Sequence, residues 1–326
     1  MANGQKLVVV GAGMIGLSTA VRLAESGNEV TVVTADDPSA TTSTSATGMV
    51  GLGFPGQPDD VARWRKSTVA ELTGLFDRGV GVRAQPGLLA SRNRFDAPDS
   101  LNELRGFRVA TDAELPEGFA SGFWLDMIAV DLELYLPYLV DRLAGAGAQL
   151  TIGLVDDFES IDADAVVNCC GIGAQRLVDD PDLRADWGMH VVVGNNVGLD
   201  HHFMEMPAER RWISWMPHGD RILIGGASVL DRDDNAADPT IETELLNMLD
   251  LARPDLAACP RIGTNAGVRP LRSTVRVEAE TPANGRTLVH NYGHGGLGLS
   301  LSWGTADEVV SLLADPHRSP QGVPHG

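Results

Sequence analysis

The chain has 326 residues, 43% hydrophobic and 21% charged, which is enough for a large core and reads as an ordinary globular protein of about two domains. With 25 Lys and Arg against 44 Asp and Glu, the formal charge of −19 repels nucleic acid and anionic membrane surfaces, so both are excluded as partners. The 3 cysteines have neither disulfide-framework nor metal-ligand spacing, so no metal is expected and a reducing cytoplasm fits.

Lys6 and the following LVVVGAGMIGLSTAV have the charged start and apolar run of a signal peptide, but Arg22 and Glu25 continue a helical pattern through it. No uninterrupted apolar run reaches the roughly 18 residues of a membrane-spanning helix. Leu7 to Val10 reads as a buried strand. Met14 to Ser26 places Ile15, Ala20, Leu23 and Ala24 at helical spacing, and Gly27-Asn28 ends that helix because both tolerate a left-handed backbone. Glu29 to Thr34 reads as a second strand, which completes a βαβ pattern. Residues 39–48 (SATTSTSATG) are small and polar, too short to link independent domains.

Val61 to Arg78 predicts a helix, residues 79–125 are mixed, and Asp131 to Gly145 predicts an amphipathic helix. Val166 to Cys170 reads as a buried strand that hides Cys169 and Cys170 as inert small hydrophobes. Residues 187–232 are β-rich, and Pro239 to Ala252 predicts a helix. Val275 to Glu278 and Thr287 to His290 read as short strands, then a glycine-rich loop leads to a helix from Ser300 to Ala314 with Trp303 in the core. The tail from Pro316 to Gly326 reads as disordered. His201 and His202 lack partners at metal spacing and are expected to be exposed.

Gly11-Ala12-Gly13-Met14-Ile15-Gly16 is a GxGxxG turn between strand and helix, where a helix N-terminus can hold a pyrophosphate. Asp36 follows Gly16 by 20 positions and is placed to accept from a ribose, with Asp37 as the alternative. Neither acid suits a 2′-phosphate, so NADP is disfavoured, while NAD and FAD both remain open on this motif. Thr41, Thr42, Ser43 and Gly48 form a hydroxyl-rich loop that reads either as solvated or as the lining of a diphosphate and flavin site.

Four stretches, VVVGAGMIGLSTAVRLAESG, VVNCCGIGAQRLVDDPDL, GVRPLR and HNYGHGGLGLSLSWG, together resemble the D-amino acid oxidase family of flavoproteins. They lie at both ends and in the middle of the chain, in the family's order. The resemblance implies an α/β fold in which a Rossmann-like, doubly wound FAD-binding domain (1–54, 136–186 and 266–326) is interleaved with a β-rich α+β substrate domain (55–135 and 187–265). It implies non-covalent FAD and a small amino acid substrate. The implied reaction is hydride transfer from the α-carbon of a D-amino acid to flavin. Dioxygen then reoxidises the flavin to give peroxide, and the imino acid hydrolyses to a 2-oxo acid and ammonia. A homodimer is compatible with this reading.

Residue by residue, Gly11, Gly13, Met14, Ile15, Gly16 and Asp36 resemble the family's ADP site, and Val155 a position on the adenine side. Thr41, Thr42, Ser43 and Gly48 resemble the loop along the diphosphate and ring. Gly295, Gly296, Leu297, Gly298, Leu299 and Ser300 resemble the loop at the flavin's pyrimidine edge, where a helix N-terminus would stabilise the charge of reduction. Arg269 matches the arginine that holds the substrate carboxylate, a task that suits its rigid fork. His294 is expected to bond within its loop and not to act as a base.

The family's pocket tyrosines are missing. The corresponding segment, Glu209 to Pro217, is shorter and has none. Aligned back from Pro217, Ser214 falls at the carboxylate-binding position, and Trp212 or Trp215 compete for it if a gap is allowed. Arg269, Ser214, Trp215 and Gly296 are thus the expected catalytic-site residues. The segment after Gly48 (MVGLGFPG) also lacks the usual polar and aromatic residues, and the short loop suggests an open pocket without a lid. These departures leave two alternatives: an oxidase of glycine, an N-substituted amino acid or a biosynthetic intermediate, and a non-catalytic flavin-binding relative.

Overall fold

The structure, a computed structural model, describes residues 4–51, 57–97, 99–208, 210–282 and 285–315. In chain order the elements are β1 (Lys6–Val10), α1 (Met14–Glu25), β2 (Glu29–Thr34), β3 (Met49–Val50), α2 (Asp59–Thr73), β4 (Val82–Ser91), β5 (Arg108–Val109), β6 (Ser121–Val130), α3 (Leu132–Gly145), β7 (Gln149–Ile152) and β8 (Ala165–Asn168). They continue with β9 (Arg184–Gly194), β10 (His202–Glu205), β11 (Arg211–His218), β12 (Arg221–Ala227), β13 (Val229–Leu230), α4 (Pro239–Ala252), α5 (Pro254–Ala257), β14 (Arg261–Glu280), β15 (Thr287–His294) and α6 (Gly298–Ala314).

One sheet runs β3-β6-β4-β10-β11-β12-β9-β14-β15-β8-β1-β2-β7. The end from β15 to β7 is parallel throughout. Its short, valine-rich strands suit burial on both faces, which is what helices on a parallel sheet impose. Helices α1 and α6 pack on each other, and α3 packs on α1. The core they share includes Leu7, Val9, Leu17, Leu136 and Trp303. Trp303 Nε1 donates to the Tyr135 hydroxyl at 2.9 Å, so its one polar atom is satisfied inside.

The other half is largely antiparallel, as between β9 and β12, β11 and β12, and β4 and β6. Its own core gathers Trp187, Met189, Phe203, Ile213, Trp215 and Leu245, the last from α4. Strand β14 joins the halves. Its first part, through Leu271, pairs with β9, and Leu271 and then the last part, from Arg276, pair with β15. Strands β9 and β14 therefore run unbroken across the boundaries expected at 186/187 and 265/266.

Several local expectations change. Helix α2 ends at Thr73, not Arg78, because Gly74 follows and Asp77, Gly79 and Gly81 take positive φ that a right-handed helix cannot hold. The short strand expected at Val275 to Glu278 is the end of a 20-residue strand. The glycine-rich loop is mostly strand. β15 runs to His294, and only the 3-10 turn Gly295–Leu297 separates it from α6, which starts at Gly298. His202 is not exposed: it opens β10 fully buried, with Nδ1 2.7 Å from Met216 Sδ, while His201 is partly buried. The tail 316–326 lies outside the described residues. Among the described residues no helix is long and apolar enough to cross a membrane, and no group of three or more His, Cys, Asp or Glu is placed to hold a metal.

Candidate active site

Two helix starts stand out by what they lack. Helix α3 is capped by Asp131, which accepts from Glu133 N, and α4 by Asp238, which accepts from Thr240 N and Ile241 N. Helix α2 carries Asp59 and Asp60 in its first turn. Helices α1 and α6 have no side-chain cap and no acid in the first turn. Their first N–H groups thus keep a partial positive charge that no carboxylate of their own answers. At α1 Ser43 intervenes, its hydroxyl accepting from Met14 N at 2.8 Å.

Both bare ends open on one cavity of about 680 Å³, within the span of small-molecule sites. Gly11, Gly13, Met14 and Ile15 line it at α1, and Asp36 and Val155 line it beyond the ends of β2 and β7. Thr41, Thr42, Ser43 and Gly48 also line it. Gly295, Gly296, Gly298 and Leu299 line it at α6, and Arg269 and Ser214 line the same cavity. A Cβ on Gly296 would lie 4.0 Å from Arg269 Cδ, so that turn and the arginine stem are neighbours.

Five expected residues are off this wall. Gly16 faces inward, where a Cβ would fall 1.9 Å from Gly11 O, so its part is close packing of helix on strand. Asp37 turns away to accept from Ser39 N at 2.9 Å, capping the turn Pro38–Ala40. Leu297 packs on the first core, and Ser300 is buried in α6. Trp215 is 1% exposed and stacks on Phe203 in the second core.

Strand alternation explains the Trp215 result. On β11, Trp212, Ser214 and Met216 line the cavity, while Ile213 and Trp215 enter the core. Trp212 is therefore the tryptophan on the wall. The Ser214 hydroxyl is already committed, donating to Gly225 O at 2.7 Å. On β9, Asp186, Gly188 and His190 line the cavity, while Trp187, Met189 and Val191 fill the core. These three wall residues were missed in the sequence, although the alternation in RADWGMHVVV carries the signal.

Arg269 on β14 stands directly opposite Asp186 on β9. Its Nη1 donates to Asp186 Oδ2 at 3.1 Å and to Ala227 O at 3.2 Å. The guanidinium lies across Gly188, where a Cβ would be 2.3 Å from Nη2. His190 is fully enclosed, and burial first, then the Arg269 charge, pushes its pKa down to about 3, so the imidazole is neutral. Burial also raises both cavity thiols, Cys169 and, to about 12, Cys170, so neither is a nucleophile at neutral pH.

A cavity with an uncapped helix at two points, an acid beyond β2 and hydroxyl-bearing residues in its lining suits an anionic dinucleotide. The model of one family, FAD dependent oxidoreductases, matches residues 6–312. The chain belongs to that family. This oxidoreductase is 36% identical over 317 residues to a D-amino-acid oxidase of Streptomyces coelicolor, covering 95% of this chain and 97% of the other. It is 35% identical over 314 residues to a D-amino-acid oxidase of Rubrobacter xylanophilus, covering 94% and 95%. Its fold resembles that of glycine oxidase from Geobacillus kaustophilus, with a TM-score of 0.80 at 20% identity over 98% of this chain and 96% of that one. FAD is its cofactor.

Proposed function

We propose that this oxidoreductase is a D-amino acid oxidase. The observation that carries the reading is Arg269, a tethered guanidinium in the same cavity as two bare helix N-termini. The near full-length likeness to two D-amino-acid oxidases supports it. In this reading residues 1–54, 136–186 and 266–326 form the FAD-binding domain, and 55–135 with 187–265 the substrate domain.

The α1 start at Gly13, Met14 and Ile15 would hold the diphosphate, with Ser43, which accepts from Met14 N, beside it, Asp36 the ribose, and Val155 the adenine side. Thr41, Thr42, Ser43 and Gly48 would flank the middle, and Gly295, Gly296, Gly298 and Leu299 the ring, with the α6 start facing the charge that reduction creates. When bound, FAD supplies the two-electron acceptor for the substrate's α-carbon, and dioxygen restores it with release of hydrogen peroxide. Arg269 grips the substrate carboxylate and aims the α-carbon, which is the main requirement when the amine is neutral. The imino acid product hydrolyses to a 2-oxo acid and ammonia.

Purified protein should be yellow and form peroxide with D-amino acids in a panel that includes glycine, sarcosine and L-amino acids. A protein that stays colourless with added FAD sinks the assignment of this cavity. One observation favours a second reading, an oxidase of glycine or an N-substituted amino acid. The wall at Ser214 has no hydroxyl free to help Arg269, because that proton is given to Gly225. Peroxide from glycine or sarcosine, and from no D-amino acid, would select it. Retained flavin that no amine bleaches without oxygen would point to a non-catalytic relative.

A further inference from the structure

We propose, resting on the oxidase reading above, that Asp186 makes the cavity selective for an α-amino acid over a simple carboxylate, with the substrate's amino group donating to Asp186 while its carboxylate lies on Arg269. Asp186 and Arg269 are direct cross-strand partners, so their side chains leave the sheet on the same face, and both line the cavity. Arg269 engages its neighbours through Nη1 alone among the described residues, which leaves Nη2 and Nε for a ligand. Gly188 makes this possible, since a Cβ there would overlap both Nη atoms.

Among the described residues each Asp186 oxygen has one donor: Ser228 Oγ on Oδ1 at 2.6 Å and Arg269 Nη1 on Oδ2 at 3.1 Å. A carboxylate has about four acceptor positions, so both oxygens can take another N–H. The side chain is only 13% exposed, so water screens its charge poorly. The wall therefore presents a cation and an anion side by side. An α-amino acid presents an anion and an amino group two bonds apart, in the complementary order. A simple carboxylate meets the attraction of Arg269 together with the repulsion of Asp186 and offers nothing to offset it.

Butyrate and D-2-aminobutyrate share a carbon skeleton and differ by the amino group, so they test this directly. Butyrate affinity is measured by calorimetry on the FAD-loaded enzyme, and D-2-aminobutyrate affinity from the concentration dependence of anaerobic flavin bleaching. Wild type should prefer the amino acid by about tenfold or more. Asp186→Asn keeps an oxygen acceptor and loses the charge. It should bind butyrate about tenfold tighter and the amino acid about tenfold weaker. Opposite shifts support the proposal. Equal affinities in wild type, or shifts of the variant in the same direction, overturn it, since a merely structural residue would weaken both. Asp186→Ser repeats the test if the Asn variant fails to fold. If no amino acid bleaches the flavin yet butyrate still binds the variant tighter, the oxidase reading falls and Asp186's opposition to a lone carboxylate stands.

Discussion

Arg269 is the residue on which the proposed recognition turns, and its setting says what its loss would do. Removing it deletes the fork and leaves Asp186, among the described residues, with Ser228 alone as a donor. Arg269→Met should therefore raise the substrate's apparent Kd on the order of a hundredfold or more, with FAD content unchanged. Arg269→Lys should recover little, because a point charge cannot grip two oxygens at once. Stopped-flow bleaching of the two variants checks both. Gly188→Ala makes a finer test. Its Cβ would fall 2.6 Å from Arg269 Nη1 and 2.7 Å from Ala227 O, so the guanidinium must move. KM should rise about tenfold with kcat much less affected, as expected when binding is lost equally from ground and transition states. An unchanged KM would show that the fork has room the structure does not give it. The arginine was legible because its GVRP context is local. For Asp186, Gly188 and His190 the alternation of RADWGMHVVV marks a shared face, and which face lines the cavity appears only when β9 is laid beside β14. Trp215 shows how sensitive such readings are: moving one position along a strand exchanges wall for core.

At the scale of elements, the bare starts of α1 and α6 are the main device. The α1 start was legible, since GAGMIG, its preceding strand and Asp36 all sit within one βαβ unit. The α6 start was placed too late. HNYGHGG looks flexible in isolation, yet Asn291 and Tyr292 are buried and paired to β14, and backbone pairing overrides the looseness of glycine. Strand β14 was hidden for a related reason. It changes partner midway, so no single alternation runs through it. The α1 start can be tested by filling it. Gly13→Asp gives the helix a good N-cap, worth about 1 kcal/mol, but puts a carboxylate where the diphosphate is proposed to sit. The protein should still fold by circular dichroism and be purified without its yellow colour. Full retention of flavin would move the diphosphate elsewhere.

For the whole molecule, the parallel half was readable from short valine runs, whereas the antiparallel half mixes wall and core residues on each strand. Two buried histidines in that half, His190 on the wall and His202 on β10, link the fold to pH. Burial pushes both pKa values down to about 3, with positive neighbours adding to it, against about 6.5 in an unfolded chain. Between these values the unfolded chain binds a proton that the folded chain refuses. Their contribution is therefore complete above pH 6.5 and is lost as pH falls toward 3, by about 2 kcal/mol for each histidine at pH 5. The net charge of −19 acts in the opposite sense, because protonation relieves repulsion across the molecule. A melting curve of wild type alone would mix the two effects. Comparing wild type with His190→Asn and His202→Gln at pH 7 and pH 5 separates them, since the variants keep the carboxylates and lose only the titrating rings. Each variant should lose less stability than wild type between the two pH values, by about 2 kcal/mol in urea titrations. Parallel losses in all three proteins would mean that these rings take up protons without unfolding, through an opening of the β9 to β12 region that the closed structure does not show.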